Sequence, residues 1–130
     1  MFRVSLIDER QEIAAVYNGK PCLDVGLMTD VFSGYGKSDG IIRAVRCMSP
    51  DYIVTDELGA DAKSIRQAVN SGSGLIMTAH ADSIEEAYRN EGIRTVIDSG
   101  AIQHIALVQS HRITAVKQLI TAEANAVCTI

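Results

Sequence analysis

The run Tyr52-Ile53-Val54-Thr55-Asp56-Glu57 does most to narrow what this chain can become. Its apolar and β-branched residues are contiguous instead of alternating, the pattern of a strand buried on both faces. Met48-Ser49-Pro50-Asp51 breaks what precedes it, and Leu58-Gly59 follows the two acids. Adjacent carboxylates at the end of a buried strand are costly to ionise unless something offsets them. A hydrated Mg²⁺ carried on nucleotide phosphates is one solution. Asp56 would then face the metal, and Glu57 would orient or deprotonate an attacking water. The plainer reading is a strand running into a turn, with both acids solvated.

Two further apolar runs end in the same way. Phe2 to Ile7 leads into Asp8, Glu9 and Arg10, and Gly74 to Thr78 leads into Ala79 and His80. If the three strands are parallel in one sheet, their polar ends converge on one edge. Ligands of open α/β sheets bind beyond the carboxyl ends of the strands.

The connecting segments fit parallel crossovers. Residues 39–48 are predicted helical, with Ile41, Ile42, Val45 and Met48 as the apolar stripe. Ser38 or Asp39 can cap that helix and Pro50 ends it. A second helix is expected over 61–71, with Ala62, Ile65, Ala68 and Val69 inward and Gly72 past its end. Ser83 and Glu86 form a capping box for a third, which runs to about Asn90 and stops at Gly92. Strand alternating with helix is the α/β pattern. Asn18-Gly19-Lys20-Pro21 and Ser33-Gly34-Tyr35-Gly36 are turn clusters, with residues 24–32 mostly loop and a short strand between them. Residues 102–108 and 113–120 pair as a hairpin across Ser110-His111-Arg112, and 121–130 are a short helix or a frayed tail.

Composition excludes some functions. The 130 residues make one domain of ordinary globular balance, 47% hydrophobic and 22% charged. A net charge of −4 argues against a general phosphate-backbone binder, so no nucleic acid is expected as a partner. Cys22, Cys47 and Cys128 lie far apart, without metal-ligand spacing and with an odd count, which fits a reducing cytosol. No apolar run approaches the ~20 residues needed to span a bilayer.

Several segments, taken together, resemble the stage III sporulation protein AA family. They are Ile7 to Ala14, Asn18-Gly19, Pro21, Val25-Gly26, Thr29-Asp30-Val31, Arg46 to Asp51, and Asp56-Glu57-Leu58-Gly59. That family belongs to the RecA-like P-loop ATPases and is related to the type II and type IV secretion motor ATPases. The resemblance implies a partial RecA-like core over residues 1–120, with 121–130 as a tail. It implies ATP and Mg²⁺ as cofactors, and ATP hydrolysis serving a channel between mother cell and forespore. It also implies a ring hexamer, membrane proteins of that channel as partners, and a cytoplasmic location at the periphery of the forespore membrane. By position, Asp56 and Glu57 are similar to the Walker B pair, with Asp56 on the metal and Glu57 catalytic. Glu9 is similar to the acidic residue after the neighbouring strand in the secretion ATPases, and His80 to the histidine that senses the terminal phosphate, so the resemblance makes both catalytic together with Glu57; a neutral imidazole at a strand end can donate to a phosphate oxygen.

The departures are specific. No Gly-x-x-x-x-Gly-Lys-Ser/Thr loop surrounds Lys20, Lys37, Lys63 or Lys117, so no residue is assigned to the phosphate cradle. Gly34-Tyr35-Gly36-Lys37-Ser38 ends in the right dipeptide but lacks the spacing and a preceding buried strand, and is expected to be a turn. Met28 and Ala60 stand where the family carries arginines. In isolation the chain is therefore expected to be inactive. Two alternatives compete. One is a phosphoacceptor receiver domain, with Asp8-Glu9 as its acidic pocket, Asp56 phosphorylated and Thr78 as the switch residue. It lacks the Lys-Pro pair that such a domain needs after its fifth strand. The other is a non-catalytic interaction module.

Overall fold

The computed structural model describes residues 1–57, 62–119 and 126–129. The chain runs β1 (Val4–Asp8), β2 (Val16–Tyr17), β3 (Lys20–Pro21), β4 (Thr29–Ser33), α1 (Lys37–Met48) and β5 (Tyr52–Glu57). It continues through α2 (Ala62–Asn70), β6 (Gly74–Thr78), α3 (Ile84–Ala87), α4 (Glu91–Asp98), β7 (His104–Gln109), β8 (Arg112–Gln118) and β9 (Ala126–Thr129). Among the described residues seven strands form one sheet in the order β4-β1-β5-β6-β9-β7-β8. All neighbours are parallel except β7 and β8, which form an antiparallel hairpin. This is the mainly parallel α/β architecture with a C-terminal hairpin that the sequence predicts.

The three apolar runs are adjacent. Ser5 pairs with Ile53 and Ile53 with Leu75, so β1, β5 and β6 lie side by side in register. Along β1 and β5 the side chains alternate between sheet faces. Ile7 faces α1, and Ile7, Ile41, Ile53, Ile65, Leu75 and Met77 join one core with Ile93, Ile102 and Ile105. Val4, Leu6 and Val54 face the other way and line a small hollow with Ile13 and Val25 from the loops and Thr29 at the start of β4.

Helix α1 starts two residues earlier than expected and is rotated. Its buried residues are Lys37, Gly40, Ile41 and Ala44, while Met48 is exposed. The N-cap is Gly36 with no side-chain cap, which is why neither Ser38 nor Asp39 marks the start. The helix ends as expected before Pro50, with Ser49 in the left-handed region. Gly40 fixes how closely α1 approaches β1. A Cβ there would lie 2.5 Å from Cγ2 of the fully buried Ile7.

Other segments correct the sequence reading. The third predicted helix is shorter than expected, ending at Ala87, and a helix that the sequence reading does not include follows it: the Asn90 side chain accepts from the amides of Gly92 and Ile93 and so starts α4. Gly92 therefore sits in the first turn of a helix instead of ending one. In the capping box the Ser83 hydroxyl accepts from the Glu86 amide, but the Glu86 carboxylate accepts from Asp82 N–H instead of Ser83 N–H. Residues 126–129, expected in a helix or frayed tail, form β9 between β6 and β7. The hairpin turn is Ser110-His111, both at positive φ, as two-residue turns between twisted strands require.

The close approach at Gly40 yields a first test. Gly40→Ala should cost about 1–3 kcal/mol, because the methyl must displace a stiff β-branched side chain inside a packed core. Chemical denaturation should show an earlier midpoint with an unchanged slope; a midpoint equal to the parent's would mean that α1 is free to lift.

Candidate functional site

The carboxyl ends of β1, β5 and β6 bring the expected residues to one edge of the sheet. Glu9 follows β1, Asp56 and Glu57 close β5, and Glu57 pairs in register with Thr78, two residues before His80. Asp56 is buried at 5% exposure, whereas His80 is exposed and makes no hydrogen bond or ion pair with the described residues. Leu58, Gly59 and Ala60, which complete the expected motif, lie outside the described residues.

Two acids expected to press on one another each have their own cation. Lys37 Nζ lies 3.0 Å from Asp56 Oδ1 and 3.6 Å from Glu9 Oε2. Glu57 Oε2 instead lies 3.2 Å from Nη1 of Arg10. The pairs differ in kind. Arg10 and Glu57 are both substantially exposed, so their attraction is screened and contributes little to stability. Lys37 is only 7% exposed, and its ammonium and the Asp56 carboxylate have both left water. Neither charge is tolerable there without the other.

Lys37 is the residue that sequence reasoning missed. The segment expected to be a turn is a strand–loop–helix junction, in which β4 leads through Gly34 at positive φ into Lys37, the first residue of α1. A cation at a helix N-terminus opposes the helix dipole. Here two carboxylates, Glu9 and Asp56, supply the negative charge that the uncapped N-terminus favours. The available signal was a Gly-x-Gly-Lys-Ser run immediately ahead of a helical pattern. What concealed it was that the lysine's partners are 28 and 19 residues distant in sequence.

Asp8 is a structural residue. It is fully buried, and its carboxylate accepts from the amides of Glu12, Ile13 and Ala14 at 2.8–3.3 Å. It thereby folds the loop after β1 back over the strand end and fixes where Glu9 and Arg10 start.

One polar atom in the site is unsatisfied. Oδ2 of Asp56 is buried and has no hydrogen-bond partner among the described residues. A hard carboxylate oxygen with vacant lone pairs fits a Mg²⁺ ligand. Among the described residues no three of His, Cys, Asp and Glu converge on a common point. Asp56 would thus supply a single carboxylate, with the remaining ligands from water and phosphate, as is usual for Mg²⁺.

The fold and this edge define a parallel α/β protein with an acid–lysine cluster beyond its central strands. The family model described as "Sporulation stage III, protein AA" matches residues 2–124, and the chain belongs to that family. Stage III sporulation protein AA of Bacillus subtilis (strain 168) is 29% identical over 101 residues, which cover 76% of this chain and 33% of the relative. The chain thus spans about a third of the length of the curated relative it matches. No helix among the described residues is long and apolar enough to cross a membrane.

The role of Asp8 can be checked directly. Asp8→Ala should cost about 1.5–3 kcal/mol, the range for lost hydrogen bonds to a charged group. Hydrogen exchange at the Glu12, Ile13 and Ala14 amides should accelerate more than in α1 or β6. Uniform acceleration across the chain would assign Asp8 a global role instead of a local one.

Proposed function

We propose that this chain is the C-terminal part of a sporulation ATPase motor, in which the edge beyond β1, β5 and β6 faces a Mg²⁺-bound nucleotide. The observation that carries the reading is the orphaned Oδ2 of Asp56, buried at the carboxyl end of a parallel strand beside Glu9 and Lys37. Membership of the sporulation stage III AA family gives the biological setting. Coupling of hydrolysis to a mother cell–forespore channel, a ring hexamer and membrane-protein partners belong to the same proposal. The Lys-Pro pair that a phosphoacceptor domain needs after its fifth strand is absent from these 130 residues, which favours a metal ligand over a phosphoacceptor.

Each residue has a role in this reading. Asp56 holds the metal, which when bound neutralises charge on the phosphates. Glu57, more open than Asp56, orients the attacking water. His80, exposed on the next strand end, donates to the terminal phosphate. Glu9 holds the Lys37 ammonium in place.

Phosphoryl transfer depends mainly on positioning and charge stabilisation. These 130 residues contain no Gly-rich phosphate loop with its lysine. This chain alone should therefore release phosphate from ATP at background rate. Joined to an N-terminal segment carrying such a loop, it should turn over. In that longer protein Glu57→Gln should bind ATP and lose turnover by about 10²–10⁴-fold, the usual contribution of a general base. Asp56→Asn should also weaken Mg²⁺-dependent binding. A steady-state phosphate-release assay on these preparations is decisive. Robust turnover by the chain alone would misplace the phosphate site, and full activity of Glu57→Gln would remove Glu57 as the catalytic base.

A further inference from the structure

We propose that Lys37 is a cation built into this site: without nucleotide, its ammonium holds the place of a divalent metal against Asp56, and a metal ion enters only by displacing it. The inference rests on the reading of Asp56 as the metal ligand, and makes Lys37 a positioning residue that governs when the metal binds.

Two observations and one electrostatic consequence carry it. First, the ammonium is committed to the acids, at 3.0 Å from Asp56 Oδ1 and 3.6 Å from Glu9 Oε2, with the side chain 7% exposed. Second, it satisfies only part of what Asp56 offers. A carboxylate has about four acceptor positions, and Oδ2 remains buried and, among the described residues, unpartnered. Third, a divalent ion bound to that oxygen would share one carboxylate with the ammonium. Like charges so close repel strongly where water is scarce, so occupancy by one disfavours the other.

The surroundings allow the exchange. Lys37 is the first residue of α1, so its stem can turn away without opening the helix's interior hydrogen bonds. Gly36 precedes it, and a Cβ built there would meet nothing closer than Glu9 Oε1 at 4.0 Å. Bare metal must evict the lysine with nothing to receive it. Metal carried on a polyphosphate brings anionic oxygens to which the ammonium can move. Metal binding is thereby tied to nucleotide binding, and the acids do not collect free divalent ions.

The test is Mn²⁺ binding without nucleotide, measured by water-proton relaxation on this chain, with folding of each variant checked by circular dichroism. The parent should bind Mn²⁺ weakly. Lys37→Met should bind it tighter by on the order of tenfold, because one competing charge is gone. Lys37→Gln should do the same while keeping a hydrogen-bond donor toward Asp56, and it serves where the methionine variant does not fold. Lys37→Met/Asp56→Asn should lose the gain. Affinity in both single variants no tighter than the parent's, or a gain that survives Asp56→Asn, would overturn the proposal. The outcome is separable from phosphate release: tighter Mn²⁺ binding without any ATPase activity in the longer protein would retain the built-in cation and reject the motor, and the reverse pair would do the opposite.

Discussion

The contact between Lys37 and Asp56 is the constraint on which the rest of the site depends. Each charge is withdrawn from water, and each is tolerable only because the other is 3.0 Å away. The pair joins the start of α1 to the end of β5, while Glu9 ties the same ammonium to the end of β1. Two strands and a helix are thereby locked at the edge where their polar residues meet. The geometry depends in turn on α1 lying close to the sheet, and Gly40 over Ile7 permits that. A buried ion pair is weak evidence for net stability, but it holds its partners in one arrangement.

Charge at this edge is sorted rather than pooled. Asp8 is saturated by three backbone amides, Asp56 by half, and Glu57 is left to an exposed arginine. The acids therefore form a gradient from fixed to available. Asp8 shapes the loop, Asp56 keeps one free oxygen, and Glu57 and His80 stand nearest to solvent.

Much of this was legible in the sequence. β1, β5 and β6 were, because buried parallel strands are written as contiguous apolar runs, and their shared edge followed from their polar endings. The missed features have physical reasons. Helix α1 starts at a glycine that gives no side-chain cap, so its true start and its buried lysine were concealed. The start of α4 turned on Asn90, a cap whose signal was outweighed by Gly92 two residues on. β9 is placed by pairing with β6 and β7 rather than by a local pattern. Lys37 was illegible for the same reason: its significance lies in partners that only the fold brings near.

β8 contributes little to the interior. Ile113 and Val116 are well exposed, and along the strand Ala115 is the residue that packs partly against the core. Its main work is to hydrogen-bond along β7, whose Ile105 and Leu107 belong to the core. Without that cover, the open ladder of β7 would be a template for a second chain. β8 instead turns outward a border with Arg112 and Lys117 set among its apolar residues, and charged edges resist continued pairing. The hairpin thus works as a selvedge, finishing the weave of the sheet with a strand that the core itself hardly needs.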